Sequence, residues 1–169
     1  MIEMLVRKFL FTLVVLSAMF SCRSSHVALT IKQKQLADEL KAITDNYLVA
    51  HIVRPNFGGK VFCAHKVLDV EEKGDAVNEY VYTICQEYNS RNEVLREGTG
   101  TGVPVVLQIE KRDREYQVIS HRIPGDSPRY PDDVERMFPK KTHNEIFYGR
   151  RDNLLAEVQK EAREFYGIK

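Results

Sequence analysis

Between Lys60 and Ile123 the chain carries four segments of strand character, and this run constrains the fold more than any other feature. The segments are Lys60–Val70, Val77–Asn89, Val103–Arg112 and Glu115–Ile123, dense in Val, Ile, Tyr and Phe and separated by turn-forming residues. Lys73-Gly74-Asp75 is a hairpin turn signal, and the polar run Lys111-Arg112-Asp113-Arg114 supplies another. The pattern predicts two antiparallel hairpins in one sheet. In the third segment Val103, Val105, Leu107 and Ile109 alternate with Pro104, Val106, Gln108 and Glu110, which marks a half-buried strand. Pro104 then stands at the strand's start, where a missing N–H costs little. The glycine-rich stretch Glu97–Gly102 reads as a flexible connection between hairpins. No Lys-Ser/Thr follows it and a strand, not a helix, comes next, so it does not have the form of a phosphate loop.

Helices flank the predicted sheet. Thr30 and Gln33 fit a capping box, and Leu36, Leu40, Ile43 and Tyr47 follow at helical spacing up to a stop before Pro55. The opposite face mixes Lys32, Lys34 and Lys41 with Asp38 and Glu39, which suits packing on the sheet better than a membrane surface. Pro131 suits a first helical position, with Asp132, Asp133 and Glu135 at the positive helix start and Pro139 as the stop. A last helix starts near Asp152, uses Leu154, Leu155, Val158, Ala162 and Phe165, and has Gly167 as its C-terminal cap. The expectation is one α+β domain over residues 30–169, with the N-terminal helix on a four-stranded antiparallel sheet and a layering like that of cystatin-like folds. At 169 residues, 43% apolar and 29% charged, the chain can build one real core but is short for two domains.

Arg7 and Lys8 precede an apolar run, Phe9–Phe20, that ends in Ser21 and Cys22. This is the charged region and short apolar core of a secretory signal, too short for the roughly 20 residues that span a bilayer as a helix. The tetrapeptide Met19-Phe20-Ser21-Cys22 resembles the lipobox of bacterial lipoproteins, departing from the commoner pattern at Met19 and Phe20. That resemblance implies cleavage after residue 21, acylation of Cys22 and a short tether over 22–29. An ordinary signal peptide cut a few residues later is the alternative. Loss of Glu3, Arg7 and Lys8 from a chain of net charge +1 leaves the mature protein neutral, so no bulk attraction to nucleic acid is expected.

Cys63 and Cys85 lie symmetrically about Gly74, so a hairpin centred there sets them opposite each other within disulfide range. An exported compartment favours the bridge, and two buried thiols are the alternative. No CxxC, HExxH or Gly-x-Ser-x-Gly pattern occurs, and the five histidines are scattered. No catalytic residue, metal site or cofactor is therefore expected. Asp126, Asp132 and Asp133, with His121 and His143, are the only cluster that could do acid–base or metal chemistry, and an enzyme would use His121 with Asp126 or Asp132, although the aspartates have turn and capping roles to fill. Tyr80, Tyr82 and Tyr88 share a strand face by even spacing. They form either a binding face or a stripe packed beneath a helix.

The segments FCAHKVLDVEEKGD, YVYTICQEYN, GTGTGVPVVL and PGDSPRYPDDVERMFP resemble a small exported bacterial domain. It is found in uncharacterised lipoproteins and is similar to extracytoplasmic tails of some membrane metallopeptidase antibiotic sensors. The likeness covers Phe62–Phe138 and implies an extracytoplasmic location, with no protease activity to inherit. The expected function is a membrane-anchored, non-catalytic binding or accessory module for an envelope protein or cell-wall component. The alternatives are a small secreted enzyme using His121 and a structural envelope spacer. Absence of Trp weakens, without excluding, a site that stacks sugars.

Overall fold

The computed structural model describes residues 28–168. The signal segment, Cys22 and most of the tether lie outside the described residues. Thr30 caps the first helix, α1 (Ile31–His51), as the sequence predicts. Its Oγ1 accepts from Gln33 N at 3.2 Å, and Gln33 Oε1 accepts from Thr30 N at 3.0 Å. Gln33 also ties the helix to the sheet, because its Nε2 donates to Asp69 Oδ1 at 2.7 Å and to the Val70 carbonyl at 2.9 Å.

Four antiparallel strands follow in sequential order: β1 (Lys60–Lys73), β2 (Ala76–Arg91), β3 (Val94–Arg112) and β4 (Glu115–Arg122). The C-terminal part holds α2 (Tyr130–Met137), a 3-10 turn at Lys140–Thr142, α3 (His143–Tyr148) and α4 (Asp152–Tyr166). The last helix ends on Gly167 at φ 65°, with Ile168 N reaching the Arg163 carbonyl at 2.9 Å.

Three details differ from the sequence reading. The glycine-rich stretch is not a connection: Glu97, Gly100 and Gly102 lie within β3, paired with Tyr88, Gln86 and Ile84. The β2–β3 turn falls earlier, at Asn92 and Glu93, whose positive φ values of 55° and 58° suit a tight hairpin. Pro104 consequently sits inside β3, yet β4 pairs with β3 only from Val106 onward. At Pro104 β3 is itself an edge strand, the setting in which proline is tolerated. In α4, Leu155 and Phe165 are exposed, and only Leu154, Val158 and Ala162 enter the core.

The first hairpin reaches its register by an unexpected route. Its turn takes two residues, Gly74 and Asp75, so Lys73 pairs with Ala76 and Glu72 with Val77. That is one residue off a hairpin centred on Gly74. A bulge between Val67 and Asp69 absorbs the difference, and beyond it Val67 pairs with Val81 and Cys63 with Cys85. The two cysteines, with Cα atoms 4.1 Å apart, form a disulfide.

Helices cover both faces of the sheet. Val77, Val81 and Cys85 of β2 point to one face and pack with Leu36, Leu40 and Leu48 of α1. Tyr80 and Tyr88 point to the other, the first against Val134, Phe138 and Ile146, the second against Leu154, Val158 and Ala162. Alternation along one strand thus feeds two helical layers. α1 forms one layer over the sheet, and α2, α3 and α4 form a layer on its other face. Leu40 and Leu48 are fully buried, each contributing about 2 kcal/mol of hydrophobic stabilisation.

Candidate functional site

Beneath α1 the interface with the sheet divides into a closed side and an open one. On the closed side two buried glutamates project from the same face of β2. Glu87 is inaccessible to solvent. It accepts backbone N–H bonds from Asn56 at 2.9 Å, Phe57 at 2.9 Å, Gly59 at 2.8 Å and Thr99 at 3.2 Å. Burial pushes this carboxyl up, but the four amides outweigh it and hold the group down at about 2. The glycines around it are dictated by the approach of backbone to carboxylate: a Cβ on Gly98 would lie 2.8 Å from Glu87 Oε2, and one on Gly59 would strike the Tyr88 carbonyl. Glu87 thereby pins the α1–β1 loop to a bulge of β3.

Glu79 is equally buried and much less supported. Thr44 Oγ1 donates to its Oε2 at 2.6 Å, and Oε1 has no partner among the described residues. Burial raises its pKa, and the Thr44 bond only partly opposes this. Beside it His65 Nδ1 meets Asp45 Oδ1 at 3.0 Å, and Lys41 reaches the same carboxylate at 2.7 Å.

The open side lies between α1 and β4. A groove of 320 Å³ there is lined by Ile43, Asn46, Tyr47, Ala50 and His51 of α1 with Tyr116, Gln117 and Val118 of β4. Apart from the imidazole, no side chain of this lining is ionisable near neutral pH. Tyr47 organises it. Its Oη lies 2.9 Å from His121 Nδ1, and its ring centroid is 4.2 Å from that of His51. Burial lowers the His121 pKa, and the neighbouring His51 lowers it further. Burial raises that of Tyr47. Both groups are therefore held uncharged near neutral pH, and the hydrogen bond joins two neutral partners.

A second bulge delivers His121 to this place. Ile109 pairs with Val118, whereas Gln108 pairs with Ser120 and Leu107 with His121, so Ile119 is the extra residue. Without it, Val118 and His121 would point to opposite faces. The larger groove of 410 Å³, over β1, has Glu161, Glu164 and Lys60 in its walls, and the Lys60 ammonium is already 3.8 Å from the Phe165 ring centroid.

The other residues singled out in the sequence are placed differently. His121 takes Tyr47 as its partner, and neither Asp126 nor Asp132 bonds it. Asp133, next in the same segment, accepts from Gly125 N at 2.9 Å. Tyr80, Tyr82 and Tyr88 do share a face, but they are not an open binding face, because the C-terminal helices cover it. Tyr80 and Tyr88 are only 6% and 1% exposed. Tyr80 donates to Glu71 at 3.0 Å, and burial together with that carboxylate pushes its hydroxyl up to about 12. Tyr82 lies under the Arg151 guanidinium, 3.7 Å from its ring centroid, and donates to the Gly102 carbonyl. The helical spacing puts Tyr47 in the core stripe of α1, and nothing in the sequence alone singles out Asn46, His51 or Tyr116 as neighbours of His121. The i, i+4 spacing of Tyr47 and His51 was the available signal.

Among the described residues no group of three or more His, Cys, Asp or Glu is placed to hold a metal ion, and no helix is long and apolar enough to cross a membrane. Comparison of the chain with family models, with curated proteins and with solved structures finds no match.

Proposed function

We propose that this protein is an extracytoplasmic lipoprotein, anchored through acylated Cys22, whose folded domain binds a partner in the groove between α1 and β4 and performs no catalysis. The observation that carries the reading is the uncharged lining of that groove around the Tyr47–His121 pair. Ligand sites combine an apolar floor with a few fixed polar groups. Here Ile43, Ala50 and Val118 supply the first, and Tyr47 and Asn46 the second. The anchor rests on the apolar run before Cys22, and a disulfide accords with an oxidising compartment.

Two linked measurements test it. The intact mass of protein from native membranes should correspond to a chain starting at Cys22 plus acyl chains. A photo-reactive amino acid at exposed position 50 should then capture an envelope component that one at Arg150 does not, and Tyr47→Ala should abolish the capture. Equal capture from both positions, or capture indifferent to Tyr47→Ala, would remove the groove from the account.

A further inference from the structure

The two edges of the sheet are finished differently. At β1, residues Val61 to Ala64 are only 3–6% exposed, packed under α1 on one face and α4 on the other, with a groove between the two helices reaching Val61 and Phe62. Further along, Gln33 occupies the Val70 carbonyl, and the bulge with the Lys141–Asp69 ion pair interrupts the edge. These are the devices by which proteins blunt an edge strand. β4 carries a bulge of its own at Ile119, but no helix closes over its second face. None of its residues belongs to the clusters beneath the C-terminal helices, and every one is half-exposed or exposed. Among the described residues nothing outside the sheet bonds its main chain.

We propose that an extended peptide adds to β4 as a fifth strand, placing alternate side chains in the groove between β4 and α1. The proposal rests on the binding reading above and names its ligand class. Unpaired edge N–H and C=O groups ask for a polypeptide partner, and an edge strand beside a helix is a recurrent frame for strand addition. The groove selects the side chains: with no carboxylate, ammonium or guanidinium in its lining, it favours apolar or aromatic residues at the inward positions. Asn46 offers an amide to the main chain of such a peptide. The bulge at Ile119 limits the flat run open to an added strand to Glu115–Val118.

The test uses the folded protein and a displayed library of random eight-residue peptides. Enriched peptides should carry uncharged residues at alternate positions and should protect the β4 amides from hydrogen exchange. Backbone N-methylation of a synthesised binder should weaken it at alternate positions only, by about tenfold at each bond lost. Ala50→Trp, on an exposed helix face, should abolish binding while the amide exchange pattern of the free protein shows the fold retained. A uniform methylation effect, or protection elsewhere than β4, overturns the proposal. No enriched peptide, together with tri-N-acetylchitotriose binding lost in Tyr47→Ala, would leave a binding groove whose ligand is a glycan. If neither probe binds, both readings fall. β4 protection that rises with protein concentration alone would make the occupant a second copy.

Discussion

The two sides of the α1–sheet interface treat polar groups in opposite ways. Towards β1 they are buried and committed: Glu87 to four backbone amides, Glu79 to Thr44, His65 to Asp45, with the Cys63–Cys85 disulfide among them. Towards β4 the Tyr47–His121 pair is half-exposed and bordered by a groove. Polar groups on the first side fix the chain's path. Those on the second retain bonding capacity for something outside the fold. Even within the closed side the glutamates diverge. Four amide donors hold the Glu87 carboxyl down, whereas Glu79, with one hydroxyl donor against its burial, is raised.

Substitutions should separate the two sides. Glu87→Ala should cause the largest loss of stability of the set, because it leaves four amide donors facing an apolar hole, and exchange at Asn56, Phe57 and Gly59 should quicken. The Glu87 pKa is depressed in the fold from an ordinary 4.5 to about 2, so its contribution is full above 4.5 and is lost as pH falls towards 2. Glu87→Gln should therefore flatten the acid limb of the stability profile, and an unchanged limb would mean that the amides do not hold a carboxylate. Replacing both Cys63 and Cys85 by Ala should cost about 3 kcal/mol in urea unfolding, as expected for a bridge spanning a separation of 22 residues.

Glu79 should behave in the reverse sense. Its folded pKa is raised above 4.5, so its contribution is present below 4.5 and declines as pH rises through the folded value. Glu79→Gln should match the wild type in acid and gain on it steadily towards neutral pH, while Thr44→Val should cost about 1–3 kcal/mol by stripping a buried acceptor. On the open side the effects shrink. Tyr47→Phe should cost about 1 kcal/mol. The lowered His121 pKa gives a contribution that is full above 6.5 and fades as pH falls through the folded value. Ala50→Trp should change stability by no more than about 0.5 kcal/mol while filling the groove.

What could be read in the sequence follows the locality of each cause. The Thr30–Gln33 capping box, a turn within Lys111–Arg114 and the Gly167 cap are set by neighbours in the chain and are found, as are four strands, the third starting at Val94 and not at Val103. Bulges are not local in this sense. Nothing in residues 66–70 or 117–121 announces an extra residue, because a bulge is fixed by the faces that flanking side chains must reach. The groove was hidden for that reason: His121 joins Tyr47 only after the shift at Ile119. The glycines of Glu97–Gly102 suggest looseness by composition, whereas in the fold they admit Gln86 and Glu87 against the backbone. The short α3 was missed as well. Its anchor is Glu145, held by Lys66 and Arg151 at 2.9 Å each, and Lys66 lies far away in the chain.

Native-state amide hydrogen exchange of the ligand-free protein, followed residue by residue by NMR, tests the contrast most directly. A closed β1 edge and an open β4 edge require different opening free energies. The amides of Val61–Ala64 should exchange at or near the rate set by global unfolding. Those of Tyr116–Val118 that face away from β3 should exchange faster by several orders of magnitude. Equal protection at the two edges would contradict the account, because β4 would then offer no free main chain for a partner to meet.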